Sequence, residues 1–169
     1  MFEKLSSFAK GDAGKAAFAV SAVLASAFEL GETFVLIPKV QKEADGKMIF
    51  DLSPMNTQEK MQEFLDALSE EGTDLYLNKL LKVDNIFPFV YGTCFTLGLL
   101  RYEDKVSWKT FLPLALMCFD LTENACSAKM LKDGTVDKKM ALFASTMTKC
   151  KMTCMTATLT FLGLDLLKK

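Results

Sequence analysis

The sequence predicts an all-α protein, a four-transmembrane-helix antiparallel bundle with an amphipathic helix in the loop between helices 1 and 2. Three observations predict it. The chain is 50% hydrophobic, with a mean hydropathy of +0.20, although 24% of it is charged. Four apolar segments, 16–38, 80–100, 110–131 and 140–167, are each long enough to cross a hydrocarbon core, which takes roughly 20 residues at ~1.5 Å each. Ile86–Leu100 has only Tyr and Thr for polarity and the fourth segment carries threonines instead of surface Lys/Glu pairs; alanine, serine and threonine in place of charge are what membrane helices use to pack closely. At 169 residues the chain makes a single membrane domain, 1–169. None of the segments has an uncharged run of the ~18 residues that hydropathy rules prefer, so a soluble helical bundle is the competing architecture.

The start, "MFEKLSSFAKGDAGKAAF", is polar and glycine-interrupted, and the apolar run after it outlasts the short core of a signal peptide. In helix 1, Ala17, Ser21, Ala25 and Glu29 recur at four-residue spacing, which turns Glu29 toward the packed interior. Glu32 follows, a few residues before Pro38. The loop 39–79 is acidic. Within it Ser53 is placed as an N-cap, Pro54 at the first helical position and Gly72 as the stop. Met61, Phe64, Leu65 and Leu68 form the apolar stripe of that short helix. Its acids disfavour an anionic lipid surface, which leaves a protein neighbour or the rest of the bundle as its support.

Helix 2 is apolar all round from Ile86 to Leu100, with Pro88 read as a kink, and Asp84, Pro88, Tyr91, Phe95 and Gly98 on one face. Arg101, Tyr102 and Trp108 suit an interfacial belt. Helix 3 starts near Pro113 and places Asp120, Glu123 and Asn124 together at i, i+3 and i+4. In helix 4 Thr146, Lys149, Thr153, Thr156 and Thr160 recur at alternating spacings of three and four, which predicts a polar seam.

Counting from a turn at Gly134 puts Asp120 14 residues before it and Lys149 15 after it, at one level. Glu29, Glu32, Asp84, Asp120, Glu123, Asn124 and Lys149 are therefore expected to converge as a buried polar cluster, in the half of the membrane nearest the acidic loop. Charges at that depth are costly unless paired. Asp120–Lys149 is the best-matched pair. Lys151, about 200° further round the helix, is expected to snorkel or to contact a partner chain.

Several function classes weaken on composition. A net charge of -1 gives no basic field for nucleic acid. With 0 His the chain lacks the usual proton shuttle, the commonest metal ligand and the usual base for a serine or cysteine nucleophile. The five cysteines all lie in apolar segments, and Cys150 with Cys154 would need further ligands to hold a metal, so no metal site is predicted. No cofactor is predicted, although bound lipid or pigment is open.

"GTDLYLNKLLKVDNIFPFVYG" (residues 72–92) and "LPLALMCFDLTENA" (residues 112–125) together resemble a family of small, mostly bacterial four-helix membrane proteins of uncharacterised function. The family pattern is an "LD…FP..Y" helix followed by a "P…D..EN" helix, matched at Tyr76, Asp84, Phe87, Pro88, Tyr91, Asp120, Glu123 and Asn124. The chain departs from it at Thr73 and Asp74, where the family tends to have Gly-Arg before the Tyr. The resemblance covers about a third of the chain; it implies a four-helix topology and clustered acids, and brings no activity.

The expectation is an integral, multi-pass membrane protein, of an organellar inner or thylakoid-type membrane among others, and not an enzyme. It is a non-catalytic accessory or structural subunit of a larger membrane complex, with other membrane subunits and lipids as partners. The alternative is a small ion- or proton-coupled transporter or channel using the same carboxylates. An intramembrane enzyme built on Lys149 is the third class.

Overall fold

The computed structural model describes residues 2–52, 57–103 and 106–167. Of the described residues 87% are helical, and no strand occurs among them. The helices are α1 (Phe2–Lys10), α2 (Asp12–Lys42), α3 (Gln58–Ala67), α4 (Glu70–Tyr102), α5 (Phe111–Asp133) and α6 (Lys138–Leu167). Three of them, α2, α4 and α6, are long and apolar enough to cross a membrane. The third predicted span corresponds to α5, which is not among these three: Asp120, Glu123 and Asn124 sit in the middle of its apolar run.

Local chemistry explains most boundaries. Gly11 ends α1, its N–H bonding the Ser7 and Phe8 carbonyls, and Gly14 lets α2 start against the α1 backbone. Pro38 lacks an N–H and its ring crowds the preceding turn; the π-bulge Glu32–Leu36 just before it absorbs the disturbance, and Ile37 N–H reaches back to the Glu32 carbonyl. A second π-bulge, Tyr76–Leu80, packs against the first from α4.

The loop helix is shorter than expected. α3 begins at Gln58, capped by the Thr57 hydroxyl, which accepts from Lys60 N–H; Ser53 and Pro54 lie outside the described residues. Gly72 is not a stop. Ser69 caps a new helix at Glu70, its hydroxyl oxygen accepting from Gly72 N–H at 2.9 Å, so α4 starts ten residues before the predicted span. Gly72 marks a close approach instead, because a Cβ there would fall 2.6 Å from Glu43 Cβ at the end of α2. The α3 stripe rests on the bundle itself. Met61 and Phe64 are buried beside Phe50 and Tyr76, and the Phe64 ring stands edge-on to both neighbours at 5.0 and 6.0 Å.

α4 is the central element, packed against α2, α5 and α6, while α5 and α6 make the most extensive pair. Burial follows: half of the most apolar window of α4 is buried (50%), against 11% in α2 and in α6. The outer faces of α2 and α6 are apolar and uncovered, as at Val23 (68% exposed), Phe34 (70%) and Leu142 (69%). α1 lies across the far end, where the Ser6 hydroxyl donates to the Glu103 carbonyl at 2.9 Å and so caps the end of α4.

Candidate functional site

The site is a polar network at mid-height, flanked by a cleft. From α4, the Tyr91 hydroxyl donates to Asp120 Oδ2 on α5 at 2.6 Å. From α6, the Lys151 ammonium bonds Asp120 Oδ1 at 3.0 Å and also meets Glu123 Oε2. The Thr148 hydroxyl, one turn below Lys151, bonds Glu123 Oε1. Glu123 and Asn124 are 1% exposed and Asp120 5%, so one ammonium serves two carboxylates almost out of water.

Asn124 has a different task. Pro88 has no N–H to give the carbonyl of Asp84, four residues earlier, which is therefore orphaned inside the helix. Asn124 Nδ2 donates to that carbonyl at 3.1 Å. An irregular turn at residues 85–86 interrupts the helix just before Pro88, and α5 supplies the missing donor.

The cleft opens because α2 and α6 both pack on α4 but hardly on each other. At Gly98 they come close together: a Cβ there would stand 3.3 Å from Phe18 of α2 and 3.0 Å from Leu162 of α6. Nearer the acidic loop lies a cavity of about 460 Å³, lined by Glu29 and Glu32 of α2, Asp84 and Tyr91 of α4, Asp120 of α5 and Lys151 of α6. Apolar groups such as Phe87, Met152 and Met155 complete its walls.

Of the residues expected to converge, Asp120, Glu123 and Asn124 meet in the network, while Glu32 and Asp84 are buried beside the cleft. Glu29 faces the cleft, not the packed interior. It is exposed, and its Oε1 accepts from the Thr33 hydroxyl at 3.2 Å. The two lysines are exchanged relative to expectation. Lys149 is exposed and outside the network, and Lys151 is the inward ammonium. The reason is the seam of α6, which runs through Ala141, Ala144, Thr148, Lys151, Thr158 and Asp165. The predicted threonine stripe is outside it: Thr146, Thr153, Thr156 and Thr160 are exposed, and each hydroxyl bonds its own i−4 carbonyl.

Sequence reasoning missed Thr148 as a carboxylate ligand and missed a second polar group at the far end. There Lys109 lies 3.0 Å from Glu103 Oε1 and 3.9 Å from the buried Asp165, with its ammonium over the Phe161 ring. The hydrogen bond to Glu103 raises the Lys109 pKa above the ordinary lysine value. Trp108, assigned to an interfacial belt, stacks edge-on against Phe161 at 5.2 Å. Among the described residues no three His, Cys, Asp or Glu side chains are grouped to hold a metal ion. No family model matches the chain, and no curated protein or solved structure is similar to it.

Proposed function

We propose that the chain is an integral, multi-pass membrane protein whose α2, α4, α5 and α6 form a four-helix antiparallel bundle, and that it serves as a non-catalytic accessory subunit of a larger membrane complex. The observation that carries this is the network itself. Lys151, Asp120, Glu123, Tyr91 and Thr148 complete one another across three helices. A network of this kind fixes helix register where apolar packing alone would slide. The uncovered apolar faces of α2 and α6 support the membrane placement: in water they would be association-prone, whereas in hydrocarbon or against other subunits they are the stable state.

The test is mild-detergent extraction from the native membrane, native sizing and mass spectrometry of what co-migrates. The expected result is one large stoichiometric assembly that also holds other membrane polypeptides; recovery of this chain alone would remove the accessory role.

A second reading, a small ion- or proton-coupled transporter, is favoured by the cleft, which brings Glu29, Glu32 and Asp84 to one space with Asp120. Carboxylates at such depth mark ion and proton pathways in membrane proteins. It requires that Asp120→Asn abolish flux in proteoliposomes while leaving the fold intact; a wild-type protein with no flux of protons or alkali cations eliminates it.

A further inference from the structure

We propose that the cleft between α2 and α6 is a self-association surface, and that its occupant is Lys149 on α6 of a second copy of this chain. We rest it on the preceding section only for the membrane placement of α2 and α6; the larger complex plays no part in it.

The cleft presents an acid to a cation from outside. Glu29 of α2 lines it and is exposed, while the ammonium that lines it, Lys151, is engaged with Asp120 and with Glu123 behind it. The chain also carries a cation that its own bundle does not use. Lys149 is exposed and makes no salt bridge among the described residues. It lies eleven residues into α6, roughly 16 Å from the helix start at ~1.5 Å per residue. At that depth an ammonium facing lipid is costly and seeks a counter-charge.

Side and depth both match. Lys149 shares a helical face with Met152 and Thr156, at i, i+3 and i+7, and those two line the cleft from α6 together with Lys151 and Met155. Lys149 therefore stands beside the cleft, at the edge of its α6 wall. Two copies in one membrane share one orientation, so a two-fold axis along the bilayer normal sets Lys149 of each copy level with the other's cleft. The offset is small, because Lys149 is only two residues, ~3 Å, from the level of Lys151, which meets Asp120. A foreign helix would have to supply a basic residue at that same depth, whereas this chain already carries one. Such an interface is isologous and closes at two copies.

The α6 surface beside Lys149 permits close approach. Thr156 and Thr160 are exposed with their hydroxyls satisfied within the helix, and a Cβ on Gly163 would meet nothing within 4 Å. Small, internally satisfied residues of this kind let membrane helices pack against each other.

Charge exchange between copies tests it. The full chain, with Lys149→Glu, with Glu29→Lys, or as a mixture of the two, is reconstituted in liposomes over a range of dilutions, and copies per particle are counted by stepwise photobleaching. The wild type is expected to be a dimer, and each single variant should dissociate at least about thirtyfold more readily. Mixed variants should pair with each other, since both lysine–carboxylate contacts are restored in the heterodimer and neither homodimer has them. Both positions are exposed, and circular dichroism should show the helical content of each variant unchanged. A wild type with one copy per particle at every dilution overturns the proposal. So does a Lys149→Glu variant that dimerises like the wild type, or a mixture that gains nothing. Failure of the chain to float with liposomes overturns the membrane placement as well. A dimer in native membranes with no other polypeptide would leave this proposal standing and remove the accessory role alone.

Discussion

Pro88 and Asn124 are far apart in sequence and form one device. The proline strips the Asp84 carbonyl of its helical donor, and the amide of Asn124 replaces it at 3.1 Å in a site where Asn124 is 1% exposed. Asn124→Leu should therefore cost about 1–3 kcal/mol, the penalty of an unsatisfied buried carbonyl. Pro88→Ala restores a backbone N–H that can make the bond itself, so it should blunt that loss. Unfolding of the wild type, both single variants and the double variant in detergent micelles checks the coupling; strictly additive losses would refute it. The acids and Asn124 were legible in the sequence because polar residues at i, i+3 and i+4 inside an apolar run have few other uses. Which lysine meets them was not. Counting from Gly134 gives a level along α6 but no direction around it, and both lysines lie within a turn of the right level. The threonine spacing gives a false direction, because a threonine in a helix can satisfy its hydroxyl on its own i−4 carbonyl and so carries no news of a polar neighbour. The small residues Ala141 and Ala144, followed by Thr148, were the better guide.

Among the elements, the apolar cores of α2, α4 and α6 were evident from composition, whereas their starts and ends depended on contacts remote in sequence. α4 begins at Glu70 because Ser69 caps it and also donates to Glu43 Oε2 at 2.6 Å, across 26 residues of chain. Gly72 looked like a terminator because glycine is common after helices, and it is there because α2 passes too close for a side chain. α1 was not anticipated at all; among its described side chains the fully buried apolar one is Ala9, held by Leu97 and Leu100 of α4. The joint between α1 and α2 rests on Gly14, where a Cβ would overlap the Phe8 carbonyl and the Ala9 Cα, both backbone. No side-chain rotation relieves such a clash. Gly14→Ala should displace α1 and uncover the Leu97–Leu100 end of α4, raising amide exchange in residues 2–10 while α5 and α6 stay protected. Unchanged exchange in α1 would mean that the helix is held by its Ser6 contacts alone. Gly134, by contrast, is a true C-terminal glycine at φ +63°, and alanine there should cost only about 1 kcal/mol.

For the molecule as a whole, α5 decides between three crossings and four. Alone, it is a poor membrane helix, since Asp120 and Glu123 would each cost several kcal/mol at the bilayer centre. In the bundle those charges are already matched by Lys151, Tyr91 and Thr148, so the penalty falls on the assembled helices far less than on α5 by itself. The geometry of the ends then follows. α3 docks on the α5–α6 turn through Gln58, which donates to the Val136 carbonyl at 2.8 Å, and through Gln62, which accepts from Val136 N–H at 2.9 Å. The acidic loop and the turn after Asp133 therefore share one end, while α1 and the start of α5 share the other. On the proposed four-crossing topology, α5 recrosses the bilayer that α4 has crossed. In a cysteine-free background, a membrane-impermeant maleimide should reach single cysteines at Asp45 and Thr135 from one side and at Lys10 from the opposite side. Labelling of position 135 together with position 10 would mean that α5 stays out of the hydrocarbon. Lys151→Met supplies the energetic control. It leaves two buried acids without their ammonium, a loss of about 3–5 kcal/mol for a broken buried pair, and should send a fraction of position 135 to the wrong side while positions 45 and 10 keep theirs. A wild-type labelling pattern in that variant would show that α5 inserts on apolar packing alone, and that the network sets register without governing insertion.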